Sequence, residues 1–114
     1  MSNLRRGEIY WVSLDPTVGS EIAKTRPGLI ISNDVGNQYA DRVIVAPITS
    51  AGASKVYPFE VKLEAGEGGV DKPSKVLLDQ IRTLDKTRLG RRIGALSQER
   101  IEQVNAAIRL SLAV

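Results

Sequence analysis

Arg26 stands directly before Pro27 and five residues after Glu21, in a polar stretch that also holds Asp15, Thr17, Ser20, Lys24 and Thr25. Groups of these types can grip and stress a phosphodiester. A guanidinium is always charged and forks two donors onto phosphate oxygens. A nearby carboxylate such as Glu21 can accept a proton or can hold the guanidinium in place. Proline biases Arg26 toward extended backbone just before the apolar run Leu29-Ile30-Ile31. Thr49 and Ser50 follow Pro47-Ile48 at the end of another apolar segment, where hydroxyls can donate to a phosphoryl oxygen. Asp79 and Gln80 follow Val76-Leu77-Leu78, and Arg82, Lys86, Arg88, Arg91 and Arg92 form a basic run interrupted by Asp85. Each group also has an ordinary reading. Arg26 could be a surface cation paired with Glu21 or Asp15, Glu21 a solvated loop carboxylate and Ser20 a turn residue. Thr49 and Ser50 could end a strand for local reasons, and the basic run could be a solvated face.

The chain has 114 residues, with no histidine and no cysteine. The commonest general acid/base and transition-metal ligand is therefore missing. Disulfides, thiolate zinc sites and cysteine nucleophiles are excluded. No Asp/Glu grouping has metal-ligand spacing, and no glycine-rich phosphate loop of the nucleotide-binding types is present. Phosphodiester cleavage here would use carboxylates, hydroxyls, Lys, Arg or Tyr, with no metal and no cofactor. A net charge of +3 and a pI of 9.4 lean toward an anionic partner. The length suits one domain with its own core. Met1 to Arg6 carries a basic pair without an apolar run behind it, so no signal peptide is expected. No segment approaches the roughly 20 apolar residues of a membrane span. Absence of cysteine favours a reducing compartment, and a cytoplasmic location is expected.

These groups need elements to position them. Gly7 to Leu14 reads as a strand, Gly28 to Asn33 as a second, and Asn33 to Asn37 as a turn. Arg42 to Thr49 reads as a third strand, with Pro47 predicting a bulge or a sheet edge. After the small-residue loop Ala51 to Lys55, Tyr57 to Leu63 alternates strictly. Glu64 to Pro73, with its glycines, is a loop. Lys75 to Ile81 reads as a strand in which Asp79 and Gln80 must be hydrogen-bonded or line a cleft. Arg91 to Leu96 is a short last strand. Ser97 is an N-cap with Glu99 in the first turn, although Arg100 stands where a capping box needs Glu. Ile101, Val104, Ile108 and Leu112 mark one helical stripe. The pattern is a single mainly β domain, residues 1–114, closed by a C-terminal helix and shaped as a small twisted barrel.

Together these motifs resemble the MazF/PemK family of toxin endoribonucleases over nearly the whole chain. Arg6-Gly7-Glu8-Ile9-Tyr10-Trp11-Val12 is similar to the family opening. Leu14-Asp15-Pro16-Thr17-Val18-Gly19-Ser20-Glu21 with Lys24-Thr25-Arg26-Pro27 is similar to its signature loop. Val45-Ala46-Pro47-Ile48-Thr49-Ser50, Tyr57-Pro58-Phe59-Glu60-Val61 and Asp79-Gln80-Ile81-Arg82-Thr83 match later blocks. The resemblance implies a small SH3-like barrel of the MazF/CcdB type, usually a homodimer. It implies metal-independent cleavage of single-stranded RNA at short sequences, through 2′-OH attack that leaves a 2′,3′-cyclic phosphate and a 5′-OH. It also implies a type II toxin–antitoxin system, with a cognate antitoxin laying a disordered acidic tail across the toxin.

On the same ground Arg26 and Thr49 carry the catalytic roles, and Glu21 matches a loop glutamate proposed as a base in some members. Some members have histidine where Ser20 stands, so that base is unavailable here. The expected substrate contacts are Ser20, Asn33, Ser50, Asp79, Gln80 and Arg82. The loops Ala51 to Val56 and Glu64 to Pro73 are expected to help set the recognised sequence. Two alternatives stand beside this reading. One is a CcdB-like gyrase poison, which uses a C-terminal tryptophan; this chain ends Arg109-Leu110-Ser111-Leu112-Ala113-Val114, without an aromatic. The other is a non-catalytic barrel that only binds an antitoxin peptide.

Overall fold

The computed structural model describes residues 3–114; Met1 and Ser2, the start of the segment read as carrying no signal peptide, lie outside the described residues. Seven strands and two α-helices follow in the order β1 (Glu8–Ser13), β2 (Thr25–Ile30), α1 (Asp34–Tyr39), β3 (Arg42–Thr49), β4 (Glu60–Leu63), β5 (Ser74–Leu77), β6 (Arg82–Asp85), β7 (Leu89–Ala95) and α2 (Gln98–Leu112). Single 3₁₀ turns occupy Glu67–Gly69 and Lys86–Arg88. The strands run β4-β5-β3-β2-β1-β7, all antiparallel, with β6 beside β3. The sheet curls like a barrel but does not close, since β4 and β7 remain at its ends. This is the expected mainly β domain with a C-terminal helix.

Two apolar cores lie on the two faces of the curled sheet. Ile9, Leu29, Ile48, Leu63, Val76 and Leu78 pack with Val104 and Ala107 of α2. Tyr10, Val12, Leu14, Ile30, Val43, Val45 and Leu84 form the second cluster. Strand β1 therefore buries side chains on both faces, and its register against β7 slips on either side of Tyr10. Trp11, two residues beyond Ile9 and so on the same face, is only half-buried. It marks where the first core ends.

Several sequence expectations shift. The second strand begins at Thr25 rather than Gly28, so Arg26 and Pro27 belong to β2 and pair with Val12 and Trp11. Asn33 to Asn37 is not a turn but the start of α1, because the Asn33 side chain accepts from Gly36 N at 2.7 Å and caps a helix. Buried Asn37 then fastens α1 by bonding Ser32. Pro47 sits in a central strand, not at an edge. Its missing N–H is tolerated because β6 pairs β3 only over Arg42–Val45 and β5 only at Ile48–Thr49, leaving an unpaired gap between them. β4 starts at Glu60, since Tyr57 to Phe59 turn instead, with the Tyr57 and Phe59 rings stacked at 5.7 Å. Asp79 and Gln80 lie in a turn between β5 and β6, not inside a strand. On α2, Val104 and Ala107 are the buried positions, while Leu112 is 57% exposed.

The β1–β2 connection is held at its neck. Leu14 N donates to Lys24 O at 2.9 Å. Arg82 Nη1 donates to Leu14 O at 2.6 Å, and Arg88 Nη1 reaches Asp15 O at 2.6 Å and Ser13 O at 3.1 Å. On the returning leg, Ile22 N donates to Gln80 Oε1 at 2.8 Å. Asp15 and Glu21 accept from Lys24 N and Val18 N of their own loop. Arg100 grips Glu67 through Nε and Nη2 at 3.0 and 2.9 Å, tying the 64–73 loop to α2. The same loop packs on β7 where a Cβ at Gly94 would collide with the Gly68 carbonyl.

Arg88→Ala should release the neck alone: amide exchange at Leu14 and Ile22 should quicken at least about tenfold while Val45 in β3 is unchanged. Equal acceleration at all three sites would show that Arg88 supports the whole fold instead. The Arg100 guanidinium holds the Glu67 carboxyl below its usual value of 4.5. The folded pKa is thus depressed, so this stabilisation is present above that value and fades as pH falls through and below it. The melting temperature of Glu67→Gln should accordingly fall less on acidification than that of the parent; parallel pH curves would contradict the assignment.

Candidate active site

Arg26 opens from β2 into a cleft of about 260 Å³. Trp11, Pro27 and Ile93 wall it, Ile48 and Ser50 come from the end of β3, and Gly69 to Lys72 form the opposite rim. The Arg26 Nε donates to Ala23 O at 2.9 Å, which aims the side chain. Among the described residues its terminal nitrogens have no hydrogen-bond or ion-pair partner. The ordinary pairing with Glu21 or Asp15 does not form; one oxygen of each carboxylate is turned to a loop amide instead. What remains is an oriented guanidinium whose fork faces a cleft, a ready seat for a phosphate.

Thr49 lies between two lining residues and is 8% exposed; its Oγ1 accepts from Ala51 N at 3.1 Å. That bond uses a lone pair and leaves the hydroxyl hydrogen to donate. Across the ladder Thr49 pairs with Lys75, whose Nζ is buried against Glu60 Oε1 at 2.9 Å and Lys55 O at 3.0 Å. The same Glu60 oxygen accepts from Tyr57 N at 2.9 Å. This satisfied buried pair clamps the 50–57 loop over Thr49. Removing one partner would leave a buried charge uncompensated.

A second cleft of about 370 Å³ gathers Ser20, Glu21, Ile22, Asp79, Gln80, Ile81 and Arg82. The expected residues are thus brought into two groups. Arg26 and Ser50 share the first cleft, with Thr49 beside it. Ser20, Glu21, Asp79, Gln80 and Arg82 share the second. Glu21 does not orient Arg26; the Ala23 carbonyl does. Asn33 lines neither cleft, since its side chain is engaged in capping α1. The basic run is also largely engaged in the fold. Besides Arg82 and Arg88, Lys86 Nζ donates to Asn37 O at 2.6 Å and Arg92 pairs with Glu8 at 2.9 Å.

Sequence reasoning did not single out Trp11, Asp71 and Lys72 as site residues, although Asp71 and Lys72 fall in the Glu64 to Pro73 loop expected to help set the recognised sequence. For Trp11 a signal existed, its two-residue spacing from Ile9 on a face whose core runs out. Asp71 and Lys72 are placed by the packing of their loop on β7, seen in the close approaches of Gly68 to Gly94 and of Gly69 to Ile93. Among the described residues no three Asp, Glu, His or Cys side chains gather to hold a metal ion. Among the described residues no helix is long and apolar enough to cross a membrane.

The chain resembles known proteins along its length. It is 45% identical over 109 residues to a Staphylococcus saprophyticus protein named Endoribonuclease MazF, covering 96% of this chain and 91% of that relative. It is 40% identical over 111 residues to Endoribonuclease EndoA of Bacillus subtilis, covering 97% and 96%. Among solved structures, MazF from Deinococcus radiodurans superposes with a TM-score of 0.83 at 28% identity over 97% of each chain. A MazE–MazF structure from that organism matches with a TM-score of 0.75 at 26% identity over 97% of this chain and 96% of the other. The profile described as PemK-like, MazF-like toxin of type II toxin–antitoxin system matches residues 5–112. With an arginine fork set at a cleft, an open antiparallel barrel and these likenesses in hand, the chain belongs to the PemK-like, MazF-like toxins of type II toxin–antitoxin systems.

Proposed function

We propose that this chain is an endoribonuclease toxin that cuts single-stranded RNA at short sequences without a metal and is held inactive by a cognate antitoxin. The observation that carries the reading is Arg26: oriented through Nε, unpartnered at its terminal nitrogens, and facing a cleft. The names of the Staphylococcus and Bacillus relatives support the activity, and the MazE–MazF structure supports the antitoxin partner. The working unit is a homodimer in the cytoplasm.

The reaction begins when the RNA 2′-OH attacks the adjacent phosphorus. As the bond to the 5′ oxygen breaks in line, the 2′-OH proton passes to the Glu21 carboxylate and the departing 5′ oxygen takes a proton from solvent, leaving a 2′,3′-cyclic phosphate and a 5′-OH. Negative charge concentrates on the non-bridging oxygens, where Arg26 and the Thr49 hydroxyl donate. Preorganised donors at developing charge are the largest catalytic lever available to such a site. A guanidinium is always charged, so Arg26 stabilises charge and does not carry the proton. Glu21 acts from the second cleft with Asp79 and Gln80, as an acceptor for RNA groups that include the 2′-OH. Ser20 and Arg82 border the same cleft, and Ser50 borders the first.

An acidic, disordered antitoxin tail suits the basic cleft that RNA would occupy, so inhibition is by competition. Incubating the purified chain with labelled single-stranded RNA in EDTA tests the enzyme reading, and cleavage is expected. Arg26→Ala should fold normally and lose about 10²–10³-fold in rate, the cost of one oxyanion donor. Intact RNA with the parent chain would overturn the nuclease reading. Cleavage by Arg26→Ala at the parent rate would overturn the assigned role.

A further inference from the structure

We infer that the RNA backbone leaves the Arg26 cleft across Ser50 and Lys72, with Lys72 holding a phosphate next to the scissile one. The inference rests on the endoribonuclease reading and adds the path of the strand. Three routes lead away from Arg26. The basic run is the obvious one by charge, but Arg82, Lys86, Arg88 and Arg92 already donate to main-chain carbonyls or to Glu8. Each thereby commits one nitrogen to the fold, while exposed Arg91, which has no such bond among the described residues, lines none of the clefts around Arg26. The second cleft carries Glu21 and Asp79 against Arg82 alone, a net negative lining that repels a polyanion backbone.

The third route is continuous with the Arg26 cleft. A hollow of about 530 Å³ is lined by Ser50, Gly52, Ala53, Ser54, Lys72 and Pro73. Ser50 and Lys72 also line the Arg26 cleft, so the two spaces share a wall on each side. Lys72 is exposed, and among the described residues its Nζ has no hydrogen bond or ion pair; only its carbonyl is engaged, by Ser74 Oγ at 2.8 Å. The small side chains of Gly52, Ala53 and Ser54 leave room for a sugar and base. Asp71 is the one carboxylate on this route; it lines the Arg26 cleft but not the hollow. Arg26 and Lys72 thus outnumber it, and a strand crossing here meets a cation at each end of the shared wall. The Lys75–Glu60 clamp fixes the far side of the hollow, because it orders the 50–57 loop.

Affinity for an uncleavable RNA, with 2′-O-methyl sugars and a fluorescent label, should be measured across salt concentration for four proteins. These are the parent chain, Lys72→Ala, Lys72→Glu and Arg92→Ala, each checked for an unchanged melting temperature. Each phosphate neutralised contributes about −0.7 to the salt slope of single-strand binding. Lys72→Ala should weaken binding several-fold at low salt and make the slope shallower by about that amount. Lys72→Glu should weaken it further, and Arg92→Ala should leave the slope unchanged. A parental slope in Lys72→Ala, or a shallower slope in Arg92→Ala alone, would overturn the path while leaving the nuclease reading intact. A parent chain that neither binds nor cuts RNA would overturn the nuclease reading itself.

Discussion

Two guanidinium groups, Arg82 and Arg88, hold the three carbonyl oxygens of Ser13, Leu14 and Asp15 where β1 ends. The rest of the site depends on that grip. A long polar connection has little apolar area to bury and many backbone groups to satisfy, so its position must come from hydrogen bonds. The guanidinium fork is suited to the task because several donors diverge from one rigid plane. Gln80 secures the returning leg at Ile22, and the chain then enters β2 with Arg26 as its second residue. Two members of a cation run that resembles a nucleic-acid track by sequence are therefore scaffold for the β1–β2 loop, while Lys86 holds α1 and Arg92 pairs with Glu8.

The two clefts differ in the sign of their charge. One presents Arg26 and Lys72 with hydroxyls nearby; the other presents Glu21 and Asp79 with the Gln80 amide. A polyanion whose bases carry amino donors can use both, with phosphates against the first and base edges against the second. The buried Lys75–Glu60 pair lies behind the first cleft, orders the 50–57 loop and thereby encloses Thr49. Such a pair contributes more to geometry than to stability, because desolvation offsets much of its attraction.

Much of the fold was legible in local pattern. Arg42 to Thr49 is the strand its apolar run indicates, and Ser97 caps α2 as its residue type predicts, accepting from Arg100 N. The misread places share a physical cause. Asn33 and Asp34 suit a turn and a helix start equally, and the choice fell to buried Asn37 bonding Ser32. Asp79 and Gln80 read as polar intrusions in a strand, yet the chain simply turns there, and Gln80 finds its partner 58 residues away at Ile22. Arg26 and Glu21 are close in sequence but face different clefts, because each satisfied its nearest backbone group first. Partners so distant, or so local, leave no periodic signature.

In the proposed reaction this scaffold stabilises a phosphorane-like transition state generated by the RNA's own 2′-OH. The chemistry leaves a mark on the product ends that no binding protein and no water-activating nuclease would leave. Mass spectrometry of a short RNA cut by the purified chain reads that mark directly. Fragments ending in a 2′,3′-cyclic phosphate should pair with fragments beginning in a 5′-OH, with no cut where the attacking sugar is 2′-deoxy. Fragments with a 3′-OH and a 5′-phosphate, or cleavage at a 2′-deoxy position, would contradict it.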